Sequence, residues 1–116
     1  MAYSGKVPRK LITIAETQLF VRQSEEVWDD AERDAFVNYI ALHPDAGDVI
    51  SETGGVRKIR WVRAGTGKRG GVRVIYYYHD ADRPLYLLMV YAKGRQENLT
   101  PDEKRTVRKL AAVLKR

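Results

Sequence analysis

The apolar and polar positions in the first half of the chain predict one strand followed by two helices. Residues 11–15 are rich in β-branched side chains, which favour a strand, and residues near 18–26 have the character of a short helix. Asp29, followed three residues later by Glu32, has the spacing of a capping box and predicts the start of the second helix. That helix must end before Pro44, because proline disfavours helical backbone in the residue preceding it.

Three further strands are predicted in the second half. Residues 56–63 alternate between polar and apolar side chains, and residues 72–79 are rich in β-branched and aromatic ones. Residues 85–92 are nearly continuously apolar, which is typical of a strand covered on both faces. The connections between these strands are short, so we expect an antiparallel meander.

The last helix has the clearest start signal. Thr100 has the position of the N-cap, Pro101 is the first helical residue and Glu103 completes the capping pattern. One apolar stripe then follows, made of Val107, Leu110, Ala111 and Leu114. The order βααβββα predicts a single α+β domain over residues 1–116, with an antiparallel sheet packed against helices and a flexible segment at residues 1–9.

Composition excludes several classes of protein. The chain has no cysteine, which rules out disulfide frameworks and thiolate chemistry, and its two histidines are far apart in sequence, which argues against a metal site. No apolar run approaches the roughly 20 residues of a membrane-spanning helix. The first ten residues are polar and lack a secretory signal, so we expect a cytoplasmic protein.

The positive charge is concentrated in one segment. Residues 1–52 contain five Lys and Arg against ten Asp and Glu, whereas residues 53–79 contain seven Lys and Arg and no acid. Residues 80–116 contain nine against five, which completes the net charge of +6. Such a segment repels itself unless an anion is near, and phosphate is the usual anion.

Strand alternation gives this segment a candidate chemistry. Lys58 and Arg60 project from one face of their strand, about 7 Å apart, a separation comparable to that of successive phosphates. A hairpin can place Arg73 beside them, which would form a phosphate cradle. Further candidate contacts to RNA are Arg57, Lys68 and Arg69, and four tyrosines could stack on bases: Tyr76, Tyr77, Tyr78 and Tyr91.

Simpler explanations stay open for each of these features. A charged strand face is often only solvated, and tyrosines in strands more often pack across the sheet than bind bases. The glycine-rich segment 65–71 is not followed by Ser or Thr or by a clear helix start, so it does not match a nucleotide-binding P-loop.

Several blocks together resemble the RelE/HigB toxins of bacterial toxin–antitoxin modules, and most closely the HigB-type branch. They are Gly-Gly-Val-Arg-Lys-Ile-Arg at 54–60, Gly-Lys-Arg-Gly-Gly at 67–71, the strand ending in Tyr-Ala-Lys at 91–93, and Leu-Thr-Pro at 99–101 before a basic helix. The resemblance covers roughly residues 15–114. It implies a RelE-like fold, ribosome-dependent cleavage of mRNA without a cofactor, and a cognate antitoxin, often of the helix-turn-helix type.

Matching by position, the resemblance assigns catalytic roles to Lys58, Arg60, Arg73 and Lys93. The arginine expected after Lys93 falls on Gly94, so Arg95 is the nearest substitute for contact with RNA. The C-terminal catalytic tyrosine of the best-known members has no counterpart, because a helix starts at Thr100.

The expected reaction is metal-independent attack of the ribose 2′-OH on the scissile phosphate. Arg60 and Arg73 would stabilise the charge that develops, and Lys58 is a candidate base if neighbouring cations favour its neutral form. Two alternatives remain: a non-catalytic module that binds RNA or the ribosome, and an inactive toxin relative. A catalyst needs the cations to converge on one point, whereas a binding module can spread them.

Overall fold

The computed structural model describes residues 12–62 and 71–116, which form eight elements in one α+β arrangement. In chain order these are β1 (Ile14–Glu16), α1 (Gln18–Val27), α2 (Asp30–Leu42), β2 (Asp48–Val49), β3 (Val56–Trp61), β4 (Val72–Tyr77), β5 (Leu85–Ala92) and α3 (Pro101–Leu114). The predicted elements are confirmed, with one addition: β2 occupies part of the segment predicted as a turn. The segments at 1–11 and 63–70 lie outside the described residues, and the first of them includes the predicted flexible segment at 1–9.

The five strands lie in the order β1-β5-β4-β3-β2. The predicted meander is confirmed, since β3, β4 and β5 are antiparallel neighbours. The expectation of a wholly antiparallel sheet is wrong, because β1 pairs with β5 in parallel. The two paired strands are separated by most of the chain, so the short connections that predict the meander give no information about this pairing.

Helices cover both faces of the sheet. One core cluster lies on the face of α1 and α2, where Phe20, Trp28 and Phe36 pack against strand residues such as Val74 and Leu87. The second cluster lies on the α3 face, where Val107 and Ala111 pack against strand residues that include Val56, Ile75, Leu88 and Met89. Two buried layers explain why β5 is apolar along almost its whole length.

Side chains of α1 and of its N-cap close the edge of β5 beyond the short strand β1. Thr17 caps α1 and also donates from Oγ1 to the Leu88 carbonyl at 2.9 Å, while Gln23 accepts from the Val90 amide at 3.0 Å. These contacts satisfy strand groups that would otherwise attract another strand. No helix among the described residues is long and apolar enough to cross a bilayer.

Candidate functional site

Three cations form a row on the sheet face that packs against α3. Arg60 of β3 lies directly opposite Arg73 of β4, and paired residues of adjacent strands project to the same face. Lys58, two residues before Arg60, shares that face, whereas Ile59 and Trp61 pack into the core on the opposite one. The structure therefore brings Lys58, Arg60 and Arg73 together as the sequence predicts, and we call them the basic row.

Arg73 is the buried member of the row. Its side chain is only 7 % exposed, and its Nε lies 3.3 Å from Oε2 of Glu97, whose side chain is 52 % exposed. A guanidinium removed from water needs such partners, because an uncompensated buried charge is costly. Glu97 therefore allows the row to hold a positive charge beneath the surface.

The segment between β5 and α3, residues 93–100, lies along the basic row. Lys58 donates from Nζ to Oδ1 of Asn98 at 2.8 Å, next to the residue that contacts Arg73. Lys58 and Arg73 thus reach two consecutive residues of the β5–α3 loop. The contacts of these two cations therefore lie side by side, and Arg60 is directly opposite Arg73 in the ladder.

Tyr91 extends the row across the sheet into β5. It pairs with Arg73 in the antiparallel ladder and donates from its hydroxyl to the Glu97 carbonyl at 3.4 Å. Burial raises the pKa of Tyr91, and the nearby carboxylates of Glu103 and Glu97 raise it further, while Arg73 opposes them. At neutral pH the hydroxyl is therefore a hydrogen-bond donor and not a phenolate.

The start of α3 anchors the β5–α3 loop. Thr100 accepts from the Glu103 amide at 3.1 Å, and the Glu103 carboxylate accepts from the Thr100 amide at 2.9 Å, which completes the predicted capping box. The same carboxylate accepts from Nε2 of Gln96 at 3.1 Å. The loop that contacts the basic row is thus held by the helix that follows it.

Lys93 and Arg95 lie near this end of the sheet. The Lys93 amide donates to the Gly71 carbonyl at 3.2 Å, beside the start of β4, and its side chain is exposed. Arg95 lines a cleft of about 500 Å³ between α1 and the end of β5, whose wall also includes Tyr91 and Gln96. Both cations border the site without a described contact to the basic row.

Arg57 is set apart from the other candidates. Its guanidinium donates to the carbonyls of Gly47 and Asp45, at 2.6 Å and 3.2 Å, on the face opposite the basic row. These bonds hold the turn between α2 and β2, so we leave Arg57 out of the site. The predicted RNA contacts Lys68 and Arg69 lie outside the described residues.

The tyrosines favour the packing explanation over base stacking. Tyr76, Tyr77 and Tyr91 are buried, and Tyr78 is partly buried. Within residues 12–62 and 71–116, no group of three or more His, Asp and Glu side chains is arranged to hold a metal ion.

Glu97 and Asn98 contact the basic row although no motif in the sequence predicts it. Their role depends on how the β5–α3 loop folds over the sheet, which strand alternation does not describe. One signal was present: Glu97 is the only acid between Asp82 and Asp102, in a stretch that contains Arg83, Lys93 and Arg95. A lone carboxylate among cations often marks an ion pair.

Comparison with known families identifies the chain. The model of one family, described as the RelE toxin of the RelE/RelB toxin–antitoxin system, matches residues 16–116. The match begins at Glu16, the last residue of β1, and includes every residue of the basic row and the β5–α3 loop. The three helices and five-stranded sheet are compatible with that fold, and the chain belongs to the RelE toxin family.

Proposed function

We propose that this toxin is an endoribonuclease of the HigB-type branch, which cuts mRNA on the ribosome and so inhibits translation. The observation that carries the proposal is the convergence of Lys58 and Arg73 on consecutive residues of one loop, with Arg60 directly opposite Arg73. Positive charges at one point can stabilise a phosphate that gains charge in the transition state.

The exposure of the three cations suggests different tasks for them. Arg60 is exposed and Lys58 partly so, and both can contact the phosphates of a strand laid along β3. Arg73 lies behind them as a desolvated charge, and electrostatic interactions are stronger where water is excluded. Lys93 or Arg95 would help to position the phosphate or the leaving group.

The proposed chemistry is metal-independent attack of the 2′-OH on the adjacent phosphate. It needs a proton acceptor, charge stabilisation and a proton for the leaving 5′-oxygen. The site contains few groups with acid–base function, which suits an enzyme that relies on the ribosome to orient its substrate. Free RNA should therefore be cut poorly.

Members of the family act with an antitoxin, as the name of the RelE/RelB system states. For this chain we propose a cognate antitoxin of the helix-turn-helix type and action in the cytoplasm, where ribosomes translate. The resemblance of residues 54–60 and 67–71 to the HigB-type branch supports this choice of partner.

Primer extension on a reporter mRNA in a reconstituted translation system tests the function. We expect cuts with wild-type protein and ribosomes, and none with ribosomes omitted or with the double variant Lys58→Gln/Arg60→Gln. The matched control Arg105→Gln/Lys109→Gln removes the same charge from exposed positions of α3 and should still cut. Ribosome binding without any wild-type cleavage would favour the non-catalytic binding module.

A further inference from the structure

We propose that Glu97 is the general base that removes the proton from the ribose 2′-OH, an assignment that rests on the proposed ribonuclease function. Its carboxylate contacts Arg73 at 3.3 Å and is half exposed, so it is both held in place and open to a substrate. A general base must lie within hydrogen-bond reach of the proton it takes, at the point where the phosphate is bound. Glu97 occupies that point beside the basic row.

Placement and bonding set the two histidines and Glu103 aside. His79 follows the end of β4 opposite to Arg73, and His43 caps the C-terminus of α2. Glu103 is engaged by the Thr100 amide and by Gln96. The segments outside the described residues contain no Asp, Glu or His, so they supply no further carboxylate or imidazole.

Tyr91 is also a poor acceptor, although it lies beside Arg73. A phenol acts as a base only after it ionises, and burial raises its pKa. Its hydroxyl instead donates to the Glu97 carbonyl, so it restrains the backbone of the residue that we assign as base. Tyr91 is thus a positioning residue for Glu97.

Arg73 has a matching role in this arrangement. Its guanidinium is the buried partner of the Glu97 carboxylate and orients that group over the sheet. Once the phosphate is bound, the same guanidinium lies close to the charge that develops on the phosphorus oxygens. Arg73 therefore both orients the base and stabilises the charge on the phosphate.

The step balances without an added oxidant or reductant. The 2′-OH proton passes to the Glu97 carboxylate while the 2′-oxygen forms a bond to phosphorus. The bond from phosphorus to the 5′-oxygen breaks, and that oxygen takes a proton from water. The products are a 2′,3′-cyclic phosphate and a 5′-hydroxyl, and the Glu97 carboxyl then returns its proton to solvent.

The test compares the single-turnover cleavage of ribosome-bound mRNA by wild type, Glu97→Gln and Glu97→Asp at neutral pH. Glutamine keeps an oxygen for Arg73 but cannot take a proton, so we expect the rate to fall by a factor of about 10²–10⁴. Because a negative charge is removed from an RNA site, binding of the ribosomal complex should be unchanged or tighter.

Controls separate this assignment from the ribonuclease proposal. Glu25→Gln makes the same charge change at an exposed position of α1 and should cleave like wild type. Glu97→Asp, which retains a carboxylate, should recover part of the rate. If wild type cuts and Glu97→Gln cuts equally well or faster, only the assignment of the base is overturned. If wild type makes no cut with ribosomes present, the ribonuclease proposal fails and this inference fails with it.

Discussion

Arg60 and Arg73 lie directly opposite each other in the ladder between β3 and β4. Like charges in that position repel and destabilise a sheet, by up to about 1 kcal/mol. The carboxylate of Glu97 offsets part of this repulsion from the side of Arg73. The arginine pair lowers stability and lies at the candidate site. We therefore interpret it as part of a surface that binds an anion.

Removing the charge at Arg60 should therefore stabilise the protein while weakening its interaction with RNA. We expect Arg60→Gln to raise the melting temperature by about 1–4 °C, because the repulsion across the ladder is lost. Binding to ribosome–mRNA complexes should weaken at least several-fold. Arg108→Gln, on the exposed surface of α3, is the matched control for both measurements. A lower melting temperature for Arg60→Gln alone would show that the arginine pair does not strain the sheet.

The hydroxyl of Tyr76 connects the sheet to the turn that precedes β2. Tyr76 is fully buried, and its hydroxyl accepts a hydrogen bond from the Gly47 amide at 2.8 Å. Tyr76→Phe leaves that buried amide without its acceptor, which should lower the free energy of unfolding by about 1–3 kcal/mol. Urea denaturation measures the loss. Tyr86→Phe, at a half-buried position of β5, should change it by less than about 0.5 kcal/mol.

Three buried tyrosines predict a loss of stability in alkaline solution. Burial is the main reason that the pKa values of Tyr76, Tyr77 and Tyr91 are raised above 10.0. The unfolded chain then ionises at a lower pH than the folded one, so it releases more protons above about pH 10. Stability is retained below that pH and falls as the pH rises through it.

Urea denaturation between pH 8.5 and 11 tests this dependence, with tyrosinate absorbance as a second signal. Each tyrosine contributes a slope of at most about 1.4 kcal/mol per pH unit. Tyr77→Phe, whose hydroxyl has only a long 3.5 Å contact with His79, should flatten the decline. An unchanged slope in that variant would mean that Tyr77 ionises equally in the folded and unfolded chain.

The amino-acid pattern predicts those parts of the fold that depend on local periodicity. The continuous apolar run of β5 correctly indicates that helices cover the strand on both faces. The ladder between β4 and β5 also contains a register shift, which the pattern does not predict. Ile75 pairs with Met89, and Tyr76 with Leu87, so Leu88 is an extra residue in β5. Leu88 and Met89 consequently both join the core on the α3 face, which strict alternation does not allow.

Local periodicity does not predict features that depend on contacts between residues far apart in the chain. The basic row was predictable because strand alternation and one hairpin place its members. Glu97 and Asn98 were not, since their contacts depend on the path of an irregular loop. The parallel pairing of Ile14 with Leu85 also joins residues far apart in the chain, so local periodicity does not predict it.

A final test of where the site lies compares variants of Arg73 in β4 and Arg57 in β3. Arg73→Met removes one partner of the Glu97 pair, and that carboxylate is half exposed and stays hydrated. Methionine fills a similar volume, and the free energy of unfolding should change by less than about 1.5 kcal/mol. Cleavage of ribosome-bound mRNA should fall at least about 100-fold, as expected when a donor to the developing charge is lost.

Arg57→Met changes the opposite face of the sheet, and we expect it to affect stability and not cleavage. Its guanidinium bonds the carbonyls of Gly47 and Asp45, so its loss should lower the free energy of unfolding by about 1–3 kcal/mol. Cleavage by the folded fraction should stay near the wild-type rate, because the basic row is intact. Urea denaturation and single-turnover cleavage, measured on both variants, separate the two effects. A strong loss of cleavage in folded Arg57→Met would extend the RNA site to the α2 face, and full cleavage by Arg73→Met would exclude Arg73 from it.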